Sequence, residues 1–231
     1  MKYIIQTSNL DFQYSKNKKI LNNLSINVPK GSIYGFLGPN GAGKSTTMRL
    51  LTGIIPDDSN SIFLFEKPIE SQIPNIFEKV GALVESPALY LHLSGYDNVK
   101  YIALLRQVPL SKIDEVLELV DLTAYKRQKA KQYSLGMKQR LAIAMALLSE
   151  PELLFLDEPV NGLDPNGIVE IRKLLVKINK EKGVTIFVSS HLLSEIEKMC
   201  THIGIISKGT LKYEGTMEDL SRKFETCKIQ I

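Results

Sequence analysis

A glycine-rich segment between an apolar run and a helical pattern constrains this chain more than any other feature. Residues 38–45 are Gly-Pro-Asn-Gly-Ala-Gly-Lys-Ser, which fits the spacing G-x-x-x-x-G-K-[ST]. The apolar run 32–37 predicts a strand before this segment, and residues 44–52 predict a helix after it. Glycines let successive backbone N–H groups turn inward, and the start of a helix adds partial positive charge. The segment therefore predicts a loop that holds phosphate groups; a plain glycine-rich turn with an exposed lysine is the alternative.

Two side chains of this phosphate loop carry its chemistry. Lys44 supplies a full positive charge to the β- and γ-phosphates of a nucleotide, and Ser45 supplies a hydroxyl for Mg²⁺. We expect the nucleotide to contact the whole loop and the start of the helix, that is Gly38, Pro39, Asn40, Gly41, Ala42, Gly43, Lys44, Ser45 and Thr46.

Two adjacent carboxylates, Asp157 and Glu158, follow the apolar run 153–156. In open α/β sheets, ligands bind at the carboxyl ends of the strands. Asp157 can hold Mg²⁺ through water, and Glu158 can orient an attacking water or accept its proton. Alone, the pair could be two solvated acids at the end of a strand. Beside a phosphate loop, it predicts a nucleoside-triphosphate hydrolase.

Hydrophobic periodicity predicts an α/β fold with one interruption. The expected strands are residues 4–14, 21–28, 32–37, 61–65, 80–84, 153–156, 185–189, 203–207 and 211–213, and the expected helices are 44–52, 97–106, 111–120, 137–149, 165–182 and 191–199. Asp164 is placed as N-cap of the helix 165–182, and Gly183 as its stop. Because strands and helices alternate, we expect a parallel sheet covered on both faces. We predict a single domain over residues 1–231, with a core (1–85 and 150–231) and a helical lobe at about 86–149.

Composition excludes several classes of protein. Hydrophobic residues make up 44% of the chain and charged residues 23%, so a disordered chain is excluded. The net charge of +4 is too small to argue for nucleic acid or a membrane surface as partner. Two cysteines, Cys200 and Cys227, do not make a disulfide scaffold and favour a reducing compartment. The apolar run 141–148 is far shorter than the roughly 20 residues of a membrane-spanning helix. Any membrane span must therefore come from another polypeptide.

Three further segments carry a family resemblance. Residues 133–137 are Tyr-Ser-Leu-Gly-Met, residues 161–164 are Asn-Gly-Leu-Asp, and residues 189–191 are Ser-Ser-His. In this order, the chain resembles the ATP-binding cassette (ABC) transporter ATPases along essentially its whole length. The first segment departs from the usual Leu-Ser-Gly-Gly-Gln of the family but keeps Ser134 and Gly136. Together with residues 81–90 (Gly-Ala-Leu-Val-Glu-Ser-Pro-Ala-Leu-Tyr), it is similar to the lantibiotic-immunity and bacitracin-resistance branch of bacterial exporters.

This resemblance implies a P-loop NTPase of the ABC type, with a mixed-sheet core, an inserted helical lobe and an N-terminal antiparallel β portion. It implies ATP and Mg²⁺ as ligands, and a head-to-tail dimer in which the phosphate loop of one copy faces Ser134 and Gly136 of the other. Because Gly136 opens a helix, free N–H groups there can meet the γ-phosphate. The resemblance also implies an integral membrane permease as partner and a cytoplasmic, peripheral position on the inner face of the membrane. It implies no nucleic acid partner.

The resemblance further assigns roles to single residues, each with an alternative. Tyr14 matches the aromatic residue that stacks on adenine, although Phe12 is a rival and an edge-strand tyrosine needs no ligand. His191 matches the γ-phosphate-sensing histidine, or is only the start of a helix. The resemblance implies that Asp164 contacts the facing subunit, and we expect it to cap its own helix whether or not it makes that contact. Glu85 stands where most members have a glutamine that reaches Mg²⁺ and the attacking water; otherwise it is a solvent-facing acid.

The expected function is that of an ATP-hydrolysing motor subunit of a transporter that expels an antimicrobial peptide. A non-transport ABC ATPase of regulation, repair or translation is the alternative. DNA-repair relatives carry a long coiled coil between the two halves of the core, and no heptad run lies between Lys44 and Asp157. Translation-factor relatives carry two cassettes, whereas this chain carries one. The basic stretch 126–131 is interpreted as a solvated face, with contact to partner loops or lipid head groups as the alternative.

Overall fold

A six-stranded sheet lies at the centre of the computed structural model, which describes residues 2–15, 18–57, 59–85 and 87–228. The strands are β1 (Tyr3–Thr7), β2 (Leu10–Ser15), β3 (Lys18–Leu24), β4 (Asn27–Pro29), β5 (Ile33–Leu37), β6 (Ile62–Leu64), β7 (Lys67–Pro68), β8 (Val80–Leu83), β9 (Leu153–Leu156), β10 (Thr185–Ser190), β11 (His202–Ser207) and β12 (Thr210–Thr216). The helices are α1 (Lys44–Leu51), α2 (Gly95–Leu105), α3 (Lys112–Leu119), α4 (Leu135–Leu147), α5 (Pro165–Lys182), α6 (Leu193–Ile196) and α7 (Met217–Lys228). Short 3₁₀ turns lie at Glu70–Gln72, Asn75–Glu78, Thr123–Tyr125 and Ala130–Gln132.

The order of the central sheet is β12-β11-β5-β10-β9-β8, parallel except for the antiparallel edge strand β12. Strands β9 and β10 are buried at every position, as expected for a sheet covered on both faces. The ring of Phe187 on β10 packs against the rings of Tyr34, Phe36 and Phe155 on the neighbouring strands. Because β5, β10 and β9 are parallel neighbours, their carboxyl ends meet at one edge of the sheet.

The N-terminal part is antiparallel, as the resemblance implies. It consists of the sheet β4-β1-β6-β7 and the hairpin β2-β3. The predicted strand 4–14 is divided in two where the chain turns at Asn9, with a φ of 52°, and the predicted strand 21–28 is divided between Leu24 and Asn27. The backbone N–H of Asn9 donates to the hydroxyl of Ser25, which joins the two breaks.

Helices α2, α3 and α4 lie between β8 and β9 in the chain. Their apolar side chains, among them Val99, Ile113 and Leu141, belong to one buried cluster with Leu154 of β9 and Ile171 of α5. α4 is the link, because it packs against α2 and α3 on one side and against β8 and α5 on the other. The division into core and lobe near residues 86 and 149 stays a prediction.

Two helices differ from the sequence-based expectation. The helix predicted over 191–199 is reduced to α6. Its start is delayed because the Leu192 N–H donates to the Ser190 hydroxyl instead of entering a helix. Helix α7 was not predicted, although the pattern Thr216-x-x-Asp219 is a capping signal. The Asp219 N–H donates to the Thr216 hydroxyl, which in turn donates to the Asp219 carboxylate.

Helix α5 has the predicted ends: Asp164 accepts a hydrogen bond from the Gly167 N–H, and Gly183 is left-handed with φ 68°.

Within the described part of the chain, no helix has both the length and the apolar character of a bilayer span.

Candidate nucleotide-binding and hydrolysis site

The phosphate loop connects β5 to α1 at the carboxyl edge of the sheet. The Gly38 N–H donates to the Ser190 carbonyl of β10 at 3.1 Å, which fixes the start of the loop. Gly43 precedes α1 with a φ of 111°, a conformation that L-residues with a side chain rarely adopt. A Cβ there would lie 2.7 Å from Leu21, and a Cβ at Gly38 would lie 2.5 Å from the Ile206 carbonyl oxygen. The loop therefore requires glycine at both positions.

The ammonium group of Lys44 lies inside this loop. Its side chain is 5% exposed, and Nζ donates to the carbonyl oxygens of Gly38 at 2.8 Å and Pro39 at 3.2 Å. The same nitrogen lies 3.2 Å from Oε1 of Glu158. These three contacts match the three donors of an ammonium group, so a buried positive charge stands at the centre of the loop.

Glu158 connects the phosphate loop to the end of β10. Its second carboxylate oxygen, Oε2, lies 2.8 Å from Nδ1 of His191. The residue lies two positions after the end of β9 and has a left-handed φ of 45°, a sparsely populated conformation of the kind that clusters at active sites. Lys44, Glu158 and His191 thus come together from the carboxyl ends of β5, β9 and β10. His191 is positioned beside Glu158 and lies two residues before α6, which begins at Leu193; its role as a γ-phosphate sensor stays a prediction.

Ser189 is a site residue to which sequence analysis gave no role. Its hydroxyl donates to Oδ1 of Asp157 at 2.5 Å and accepts the Glu158 N–H at 2.9 Å. Ser189 and Asp157 are both buried. One hydroxyl therefore orients both members of the acidic pair. The signal in the sequence was its position at the end of β10, next to the strand that carries the two acids.

The signature segment lies at the start of α4. Ser134 is the N-cap and accepts a hydrogen bond from the Met137 N–H at 3.2 Å. Around Gly136 the space is open: the nearest atom to an added Cβ is the Ser134 hydroxyl oxygen, 4.0 Å away. Ser134 is exposed. Among the described residues, the structure gives Ser134 and Gly136 no contact with Lys44 or Glu158 of the same chain. Asp164 is exposed apart from its capping bond to Gly167.

Glu85 follows β8 in a left-handed conformation with a φ of 70°. Its carboxylate forms an ion pair with the guanidinium group of Arg49 on α1. The other terminal nitrogen of Arg49 donates to the hydroxyl of Tyr14 at 3.1 Å. The pKa of Arg49 is raised, first by the hydrogen bond to Glu85 and then by the one to Tyr14. The Tyr14 ring is 56% exposed and packs edge-on against Phe12, with ring centroids 4.9 Å apart.

Comparison with known proteins identifies the family. The sequence model of the ABC transporter family matches residues 21–161. The chain belongs to the ABC transporter family. This ABC ATPase is 45% identical over 224 residues to the bacitracin transport ATP-binding protein BcrA of Enterococcus faecalis, covering 96% of this chain and 72% of that protein. It is 44% identical to the lantibiotic transport ATP-binding protein SrtF of Streptococcus pyogenes, covering 96% of each chain. The predicted branch is confirmed, and the match favours a transporter subunit over a repair or translation factor.

Solved structures confirm the fold of this ABC ATPase. The structure of cbiO1 from Clostridium perfringens, part of the ABC transporter complex cbiONQ, superposes with a TM-score of 0.88 at 31% identity, covering 98% of this chain and 93% of that one. A nucleotide-free ATP-binding cassette from an ABC transporter gives 0.86 at 23% identity and supports the fold alone. Membership of the family, together with the similarity to ATP-binding transport proteins, shows that the chain is an ATP-hydrolysing subunit.

The donor set of the site fits a magnesium ion held together with phosphates. Mg²⁺ in phosphate sites takes one or two protein oxygens and completes its coordination with phosphate and water. Ser45, half-buried on the first turn of α1, and the buried carboxylate of Asp157 are oxygen donors of this kind. Within the described ranges, no group of three or more Asp, Glu, His or Cys side chains is placed to hold a metal ion by itself. A magnesium ion at this site would therefore need phosphate and water as further ligands.

The basic stretch 126–131 lies in the connection between α3 and α4, apart from the Lys44–Glu158–His191 group. Lys126 pairs with Asp114 at 2.8 Å, and the guanidinium group of Arg127 lies 4.8 Å from the ring centroid of Tyr96. At least these two charges have partners within the chain, which supports the interpretation of a solvated face.

Proposed function

We propose that this ABC ATPase drives the expulsion of a peptide antibiotic of the lantibiotic or bacitracin type through a membrane permease. The support is identity of 44–45%, over nearly the whole chain, to ATP-binding proteins of bacitracin and lantibiotic transport. In this proposal, the permease binds the peptide, and the ATPase lies on the cytoplasmic side of the membrane, attached only through the permease.

The arrangement of Lys44, Glu158 and His191 carries the proposed hydrolytic role. Lys44 binds the β- and γ-phosphates with its full charge. Glu158 orients the attacking water and accepts its proton, while the bond to His191 fixes the carboxylate. Ser45 and Asp157 would hold Mg²⁺, which supplies positive charge to the phosphates. We keep Glu85 as a candidate ligand at this ion and Tyr14 as the residue that stacks on adenine.

The proposed working unit is a head-to-tail dimer. Ser134 is exposed and Gly136 half-buried, and both lie at a helix start, where free N–H groups and the helix dipole favour an anion. Among the described residues, this segment has no contact with the phosphate loop of its own chain. We therefore propose that it faces the phosphate loop of a second copy. Asp164 and the exposed segment 161–164 extend the same proposed interface.

The experiment that tests this function is Glu158→Gln. The variant should bind ATP, hydrolyse almost none, and elute as a dimer in size-exclusion chromatography at millimolar Mg-ATP, where the wild type is monomeric after turnover. Lys44→Ala is the matched control, since it should lose ATP binding and remain monomeric. In cells carrying the full transporter, Glu158→Gln should abolish resistance to the peptide. A Glu158→Gln chain that stays monomeric with ATP bound would contradict the dimer of this isolated subunit.

A further inference from the structure

One guanidinium group, that of Arg49, joins three distant segments of the chain. Arg49 lies on α1, five residues after Lys44, which places it about 7.5 Å further along the helix axis. One terminal nitrogen donates to the Tyr14 hydroxyl on β2, and the other pairs with the carboxylate of Glu85, two residues after the end of β8. Tyr14 is the candidate base-stacking residue, and Glu85 begins the connection from the central sheet to α2. Arg49 therefore contacts the candidate base site and this connection at the same time.

The negative charge of Glu85 is offset by the positive charge of Arg49 on α1. Glu85 lies beside the helix that carries the phosphate loop, and a carboxylate there repels a triphosphate. The side chains of Arg49 and Glu85 are 35% and 56% exposed, so water screens the ion pair and its effect is moderate. With both residues present, the pair is neutral. Loss of Arg49 alone leaves one negative charge near the loop, and loss of Glu85 alone leaves one positive charge.

We propose that Arg49 is a positioning residue that holds the Glu85 carboxylate on α1, offsets its charge beside the phosphate loop, and links the connection to α2 with Tyr14. This inference rests on the proposed function, because it assumes ATP at the phosphate loop. Because the positive charge of Arg49 offsets the negative charge of Glu85, the connection from β8 to α2 carries no net charge at this ion pair.

A double-mutant cycle tests the pair in the full chain. The affinity for a fluorescent ATP analogue is measured in EDTA and in Mg²⁺ for the wild type, Arg49→Gln, Glu85→Gln and the double variant. In EDTA, Arg49→Gln should bind about two- to fivefold more weakly than the wild type, Glu85→Gln should bind more tightly, and the double variant should return to within about twofold. Arg49→Lys should recover most of the loss. Lys180→Gln, the same charge change at an exposed position of α5, is the control and should change nothing.

A second measurement does not depend on nucleotide. In the nucleotide-free protein, hydrogen exchange of the connection between β8 and α2 should be about two- to fivefold faster in either single variant, and no faster in the double variant than in the singles. Strictly additive effects of the two substitutions on hydrogen exchange, or an Arg49→Gln chain that binds ATP and exchanges like the wild type, would overturn the proposed role of the Arg49–Glu85 pair. The role of the pair would also be overturned if Arg49→Gln and the double variant lost the same affinity for the ATP analogue and Tyr14→Phe lost as much. The contact with Tyr14, and not the one with Glu85, would then account for the loss. Absence of ATP binding by the wild type would instead overturn the proposed function.

Discussion

The ammonium nitrogen of Lys44 lies 3.2 Å from a carboxylate oxygen of Glu158. The residue proposed to bind phosphate and the residue proposed to activate water therefore form an ion pair with each other. Two loop carbonyls accept the other hydrogen bonds of Lys44. A phosphate that binds at Lys44 would compete with this carboxylate, so we expect the acid proposed to serve hydrolysis also to weaken the binding of ATP.

Glu158→Gln should consequently bind ATP more tightly than the wild type. The amide has no charge to hold Lys44 or to repel the γ-phosphate, and we expect the Kd to fall by about three- to tenfold. Equilibrium titration in EDTA, where neither protein turns over ATP, measures this effect. An equal or weaker affinity of the variant would show that the ion pair does not compete with phosphate.

His191→Ala should lower kcat by about tenfold or more, because Glu158 loses the partner that orients its carboxylate. The affinity for ATP should change by less than about threefold, since His191 has no contact with Lys44. Steady-state ATPase assays together with nucleotide titration separate the two effects. His92→Ala, whose ring packs against Tyr90, is the control and should keep the wild-type rate. An unchanged kcat in His191→Ala would remove its proposed role.

Tyr14→Ala should raise the KM for ATP severalfold with little change in kcat, which is the pattern of lost uniform binding. Its exposed ring is free to stack on a base, and such stacking contributes about 1–3 kcal/mol in nucleic-acid complexes. Phe12→Ala is the comparison, because the two rings are in contact. If Phe12→Ala shows the rise in KM and Tyr14→Ala does not, the base-stacking assignment moves to Phe12.

Gly43→Ala should lose nucleotide binding and destabilise the fold, because the added methyl group collides with Leu21 in a left-handed conformation. Gly41→Ala is the matched control: Gly41 is also left-handed, with a φ of 77°, but no atom lies within 4 Å of the added Cβ. We expect Gly43→Ala to lower the free energy of unfolding by about 2 kcal/mol more than Gly41→Ala does. Urea denaturation of both variants measures the difference, and equal losses would exclude the collision.

The stability of the ATPase should fall in mild acid in part through His202. Burial lowers the pKa of this imidazole from its ordinary 6.5, and the nearby charge of Glu214 only partly opposes the shift. The folded state therefore favours the neutral ring, so this contribution is complete above the unfolded pKa and is lost as pH falls through the folded pKa. His202→Gln should show a smaller decrease in unfolding free energy between about pH 7 and pH 5. An unchanged pH dependence would contradict this origin.

The sequence by itself determined the features that depend on neighbours in the chain. The phosphate loop was predictable because glycine spacing, a strand before it and a helix after it all lie within some twenty residues. The ends of α5 were predictable for the same reason, since a cap acts on the first turn of its own helix. The capping signal of α7 is equally local, at Thr216, and was available in the sequence.

Only the tertiary structure decided which side chains meet. The order β5-β10-β9 brings Lys44, Glu158 and His191 together from segments that are far apart in the chain. The same order places the hydroxyl of Ser189 between Asp157 and the backbone of Glu158, and the packing of β8 near α1 pairs Glu85 with Arg49. Side-chain partners of this kind follow from strand order and close packing, which bring residues into contact irrespective of their separation in the sequence.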